Sequence, residues 1–184
     1  FGGKLPEDKF RLVNVDQNKR EAVYENMEAL PRAFFVDTCI VANKTETYAY
    51  LNSPSFNPKK AALVFNPLPV QIQAPLNSNV KVSSFSAHKI IIETENSNSS
   101  LLVLSEIYYP AGWKAVIDNS LTEIFRTNSI LRSVVVPAGK HKVEFIYDSE
   151  MYSKGLTISY IGWGVSGVLL MLGYITIRKK NSPL

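Results

Sequence analysis

The feature that most limits what this chain can become is LTISYIGWGVSGVLLMLGYITI, residues 156–177, an unbroken run without a charge that is followed at once by Arg178, Lys179 and Lys180. As an α-helix rising about 1.5 Å per residue, the run reaches roughly 33 Å, enough to cross a hydrocarbon layer of about 30 Å. A core helix of a soluble protein seldom needs so long an uncharged stretch, so the segment reads as a transmembrane helix with the lipid bilayer as its partner. Gly162, Gly164, Gly167 and Gly173 are costly in a water-exposed helix but common in membrane ones, and Gly162 with Ser166 forms a small-xxx-small pair suited to helix packing. Tyr152, Tyr160 and Trp163 fall toward one end and Tyr174 toward the other, as rings seated in the two headgroup layers do. Positive flanks resist translocation. Residues 178–184 are therefore expected as a cytoplasmic tail, and residues 1–155 on the outer side of the cell membrane.

The remainder has a different character. At 184 residues, 46% of them apolar, the chain can bury one sizeable core, which suggests one compact domain over 21–150 with an N-terminal segment, 1–20, as an appendage. The net charge of +4 is concentrated near the two ends and the middle is nearly balanced, which argues against nucleic acid as a partner. A single cysteine, Cys39, excludes an intrachain disulfide; inside AFFVDTCIVA it reads as a packed thiol. The first twenty residues mix charges throughout and hold no apolar signal-peptide core. With Phe1 at its start, the chain is expected to be processed or to be a piece of something longer.

From residue 79 to 148 the sequence alternates with the period of two that half-buried strands require. In SLLVLSEIYYP both faces are largely apolar, which predicts a central strand, whereas KHKVEFIYD puts Val143, Phe145 and Tyr147 on one face and Lys142, Glu144 and Asp148 on the other. Asp118 with Asn119, Asn128 with Ser129, and Pro137 to Gly139 mark turns. NVKVSSFS and HKIIIETEN form a further strand pair meeting near Ala87 and His88, and ENSNSS is a polar turn. EAVYEN and PRAFFVDTCIVAN are strand candidates, TETYAYLNSPSF holds a short helix begun by Thr45, and NPLPVQIQAPLNSN is loop or edge. Strands spaced about ten residues apart predict a mainly β chain, an antiparallel β-sandwich of jelly-roll kind, followed by the one helix.

Chemistry is sparse. His88 and His141 are the only histidines, neither with a ligand-like partner at helical or turn spacing, and both read as solvated residues near strand ends; no metal or other cofactor is expected. No phosphate-cradling glycine loop or GxSxG elbow occurs. The carboxylates fall mostly on polar strand faces, and Asp118 is better explained by a hairpin turn than by acid catalysis, so no catalytic residue is assigned. YYPAGWKAVID is the exception. Tyr108, Tyr109 and Trp113 cluster around Pro110 and Gly112, and such rings can stack on sugar faces. The competing reading, a strand corner whose Trp113 plugs the core, is the stronger one, because Pro110 and Gly112 already account for the break between strands. Asn43-Lys44-Thr45 and Asn98-Ser99-Ser100 match the glycosylation sequon, a weak signal.

Three blocks resemble, in order, the C-terminal region of the YfhO family of bacterial polytopic membrane proteins: Tyr24, Glu25, Asn26, Leu30, Pro31, Arg32 and Phe34; Tyr109, Pro110, Gly112, Trp113 and Asp118; Pro137, Gly139, His141, Val143, Phe145, Tyr147 and Gly155. The chain departs from the family pattern at Ala111, which separates Pro110 from Gly112, and at Asn119, which stands where Asp-Gly is usual. The resemblance implies an extracytoplasmic β-rich domain and a last helix after many upstream membrane helices of the same protein. It also implies a GT-C kind of glycosyltransferase that moves sugar from a polyprenyl-phosphate carrier onto cell-envelope glycans. Its catalytic carboxylate belongs to an early loop, so the residues here are expected to be non-catalytic and to meet, at most, envelope glycan or polyprenyl-linked sugar. The alternative is a single-pass surface module that binds glycan or protein through Tyr108, Tyr109 and Trp113, with no enzyme attached.

Overall fold

The computed structural model describes residues 6–16, 18, 21–148 and 150–180; the start of the N-terminal segment, 1–5, and the end of the expected tail, 181–184, lie outside the described residues. Its elements, in chain order, are β1 (Phe10–Asp16), β2 (Glu21–Asn26), β3 (Ala33–Val36), β4 (Thr38–Val41), α1 (Lys44–Leu51), β5 (Ala61–Val64), β6 (Asn79–Phe85), β7 (Lys89–Asn96), β8 (Ser100–Ile107), β9 (Trp113–Ile117), β10 (Ser120–Thr122), β11 (Phe125–Thr127), β12 (Leu131–Val136), β13 (Gly139–Tyr147) and α2 (Glu150–Lys180). The strands form a five-stranded sheet in the order β10-β9-β13-β7-β6, a six-stranded sheet in the order β3-β8-β12-β11-β5-β4, and a separate β1-β2 ribbon.

Period-two alternation explains how the two large sheets close on each other. Ile90, Ile92, Ala115, Ile117, Val143 and Phe145 from the five-stranded sheet meet Ala33, Phe35, Leu102, Leu104, Val134 and Val136 from the six-stranded sheet in one buried core. The predicted sandwich is therefore present. β8 is central, between β3 and β12, and its odd-numbered residues Leu101 and Val103 join Phe34, Val36, Ala62, Val64 and Phe125 in a second apolar cluster on the outer face of the six-stranded sheet. Leu30, Leu68 and Ile72 pack against that outer cluster. The Pro-rich stretch is thus a loop that covers a sheet, and it is tied down by polar residues. Asn96 accepts from Leu76 N–H at 3.0 Å and donates to Ser100 Oγ at 2.7 Å, while Ser100 Oγ donates to the Gln73 carbonyl at 2.7 Å. Asn96 and Ser100, read from sequence as part of a polar turn, are buried for this reason.

Three local differences from the sequence reading have clear causes. PRAFFVDTCIVAN breaks at Asp37: β3 pairs with β8 while β4 pairs with β5, and the β4–β5 pair is parallel rather than antiparallel. Parallel neighbours need a crossover, and α1 supplies it. α1 begins at Lys44 and is capped two residues before Thr45, because Asn43 accepts from Glu46 N–H and the Glu46 carboxylate accepts from Asn43 N–H, a capping box. Finally, the segment 1–20 contains β1, which pairs antiparallel with β2 across a register shift between Leu12 and Asn14. Both sequon asparagines are engaged by the fold, Asn43 as that cap and Asn98 by donation to the Ala74 carbonyl at 2.9 Å.

α2 extends beyond the uncharged run, and its stretch Tyr152–Ile177 is long and apolar enough to cross a membrane. None of that stretch is buried. Three of its hydroxyls bond back within the helix, Thr157 on Ser153 O, Ser159 on Gly155 O and Thr176 on Leu172 O, at 2.7 to 3.0 Å. In hydrocarbon this matters, since a hydroxyl without a partner there costs several kcal/mol, on the order of 4 or more.

Candidate functional site

The aromatic cluster expected from sequence does assemble. β8 delivers Tyr108 and Tyr109 at its end, with Tyr108 N–H fixed to the Ile130 carbonyl at 2.6 Å. Pro110 and Gly112 then turn the chain, Gly112 at φ +95°, and Trp113 opens β9. Tyr108, Tyr109, Pro110 and Trp113 line a cavity of about 350 Å³ together with Leu121, Thr122, Ile124 and Arg132. Trp113 serves both readings made of it. It packs against the inter-sheet core and also walls the cavity, with its ring tilted against Tyr147 at 5.5 Å between centroids.

Arg132 is the residue that the sequence reading missed. It shares a strand face with Val134 and Val136, so the pleat sends its guanidinium between the sheets, where it is 3% exposed. The ring of Trp113 covers it at 4.0 Å and that of Phe145 lies 5.5 Å away. Nε and Nη1 have no hydrogen-bond partner among the described residues, and Nη2 stands 4.0 Å from a Glu106 oxygen. Glu106 sits in a bulge of β8, where the register with β12 shifts between Leu131 and Arg132, and its other oxygen contacts Arg32. Burial draws the Arg132 pKa down from its ordinary value and Glu106 partly restores it; a guanidinium so placed still carries its charge. One signal for Arg132 was available in LRSVVV, where a charge occupies the inward phase of an alternating strand.

A second polar constellation corrects the reading of His141 as a solvated residue. Asp118, in the β9–β10 turn at φ +47°, places its carboxylate 2.6 Å from His141 Nδ1, while its other oxygen accepts from Lys142 N–H at 2.9 Å. His141 Nε2 lies 3.1 Å from the Ala138 carbonyl. An imidazolium donates to both acceptors at once; the neutral ring satisfies only one. The hydrogen bond to Asp118 accordingly raises the His141 pKa, and the same bond, followed by that from Lys142 N–H, lowers that of Asp118. The contribution of His141 to stability is full below its unfolded pKa of about 6.5 and fades as pH rises through the higher folded value. That of Asp118 is full above about 3.9 and fades as pH falls through its depressed folded value. The thermal midpoint is therefore expected to decline from pH 6 to pH 8, and His141→Gln to flatten that slope. Equal slopes in a calorimetric pH series of the two proteins refute this assignment.

Gly139 accompanies the pair. It lies at φ +125°, and a Cβ there meets His141 Nε2 at 3.2 Å, so a side chain strains the backbone and presses on the ring together. Asn119, where the family pattern has glycine, takes φ +70°, a conformation asparagine tolerates. His88 is exposed and its ring stacks on Tyr147 at 6.2 Å. Cys39 is a packed thiol, with burial pushing its pKa up to about 11. Among the described residues no group of His, Cys, Asp and Glu side chains is arranged to hold a metal ion. The Tyr108–Arg132 cavity combines largely apolar walls with two cations, the buried Arg132 and Lys114, the latter paired with Asp148 at 2.7 Å.

Comparison with curated proteins and with solved structures gives no match. Comparison with protein families matches residues 61–159, more than half of the chain, to the family described as bacterial membrane protein YfhO. That segment holds two of the three blocks that carried the resemblance and reaches into α2, whose apolar stretch calls for a lipid bilayer. The chain belongs to the YfhO family of bacterial membrane proteins.

Proposed function

We propose that the chain is the extracytoplasmic domain and last membrane helix of a GT-C-like membrane glycosyltransferase, acting on cell-envelope glycans from a polyprenyl-phosphate sugar donor. In this reading the sandwich holds glycan on Tyr108, Tyr109 and Trp113, and the bond-making groups belong to upstream membrane helices of the same protein. The observation that carries it is the ring-walled cavity of about 350 Å³ in a chain of a membrane protein family. The β1-β2 ribbon adds support. It exposes Leu12, Val15, Val23 and Tyr24, and a two-stranded ribbon is marginal by itself, so a neighbouring part of the protein suits it.

Two measurements test the reading. With Cys39→Ser as background, Ala87→Cys is expected to react with a membrane-impermeant maleimide only from outside the cell, and Ser182→Cys only from the cytoplasmic side. Labelling of position 87 from the cytoplasm overturns the orientation. Tyr109 is 55% exposed, so Tyr109→Ala is expected to change unfolding free energy by less than about 0.5 kcal/mol. The same substitution is expected to weaken binding of envelope glycan fragments several-fold, as loss of a stacking ring does. Unchanged glycan affinity on titration of this variant removes the glycan role of the cavity. Trp113→Ala is the poorer probe, since Trp113 also covers Arg132.

A further inference from the structure

The buried cation of the cavity, Arg132, points past a neutral sugar. The Arg132 guanidinium carbon stands 4.0 Å from the centre of the Trp113 ring, and this cation–π contact offers its N–H groups no oxygen acceptor. The N–H donors point outward in the guanidinium plane, and those on Nε and Nη1 meet no acceptor among the described residues. Leaving buried charged donors unpaired is unfavourable, and a planar fork of this kind is matched by the two oxygens of a carboxylate or phosphate. The neighbouring carboxylate does not fill that role. Glu106 is shared by two guanidiniums, in direct contact with Arg32 and 4.0 Å from Arg132, which leaves a surplus positive charge at the cavity floor. Its volume of about 350 Å³ accepts one sugar ring against Trp113 and Tyr108.

We propose that this cavity recognises a saccharide bearing an anionic group, a phosphate or a carboxylate, with Arg132 as the residue that pairs with the anion. The inference rests on the glycan reading of the same cavity and adds the charge of the ligand. The test uses the 184-residue chain in lipid nanodiscs, with Trp163→Phe as background so that Trp113 fluorescence reports binding. Glucose 1-phosphate and glucuronate, which separate phosphate from carboxylate, are titrated beside glucose and inorganic phosphate. At least one anionic sugar is expected to bind about ten-fold or more tighter than glucose, the gain of a hydrogen-bonded charge. Arg132→Lys is expected to reduce that preference about ten-fold and Arg132→Met to abolish it.

Equal affinity for glucose and both anionic sugars overturns the inference while the glycan reading stands. Inorganic phosphate binding as tightly as glucose 1-phosphate overturns the saccharide and with it the glycan reading. Binding of none of the four probes overturns both. If Arg132→Met fails to fold, Arg132→Lys decides the matter, and an undiminished preference in that variant makes Arg132 a structural cation.

Discussion

Phe145→Ala is expected to lower the unfolding free energy by about 3–5 kcal/mol, the range for deleting a fully buried aromatic side chain. Phe145 has no exposed surface, sits on β13 between β7 and β9, and packs in the core shared by both sheets. The lost transfer energy is accompanied by a cavity that cannot collapse, because Ile90 and Ala115, its partners in register on either side, are held by ladder hydrogen bonds. Domains of this size are stable by only about 5–15 kcal/mol, so the substitution removes a large share of the total. Urea unfolding in the Trp163→Phe background, followed by Trp113 fluorescence, measures it. A loss below about 1 kcal/mol is incompatible with the inter-sheet core described above. Arg132 also loses the ring at 5.5 Å in this variant, which places the outcome toward the upper part of the range.

The second large effect concerns α2. Val165→Arg with Leu169→Arg puts two charges near the middle of Tyr152–Ile177, each opposing insertion by about 2.5–3.5 kcal/mol. The wild-type segment is expected to integrate in a microsomal insertion assay and the double variant to pass through unintegrated. Integration of the double variant at the wild-type level contradicts the assignment of α2 as a span held by its own hydrophobicity.

Much of the fold was legible because the informative patterns are local. KIIIETEN and KHKVEFIY announce β7 and β13 by alternation, SLLVLSEI announces β8 by its two apolar faces, and the charge-free run announces α2. Asp118 and Asn119 signal a hairpin turn, and both take positive φ between β9 and β10. The break at Asp37 was not legible, since AFFVDTCIV is apolar on both sides of it. Only the separate demands of β8 and β5 for a neighbour divide it. The candidate site was half legible. Tyr108, Tyr109 and Trp113 are close in sequence and could be found together, but Arg132 and Trp113 meet only because β9 and β12 face each other across the sandwich.

By itself the sequence determined the local physics of this protein: which stretches alternate as strands, where the turns fall, and that the last helix is too apolar to remain in water. Those properties depend on neighbours one to four residues apart. The tertiary structure decided which strands adjoin, and that choice set every contact of chemical interest, from Asp118 on His141 to the Arg132 guanidinium under Trp113. The reason is register: pairing of distant strands fixes which side chains oppose one another, and a one-residue slip turns Arg132 away from Trp113 to the other face of its sheet.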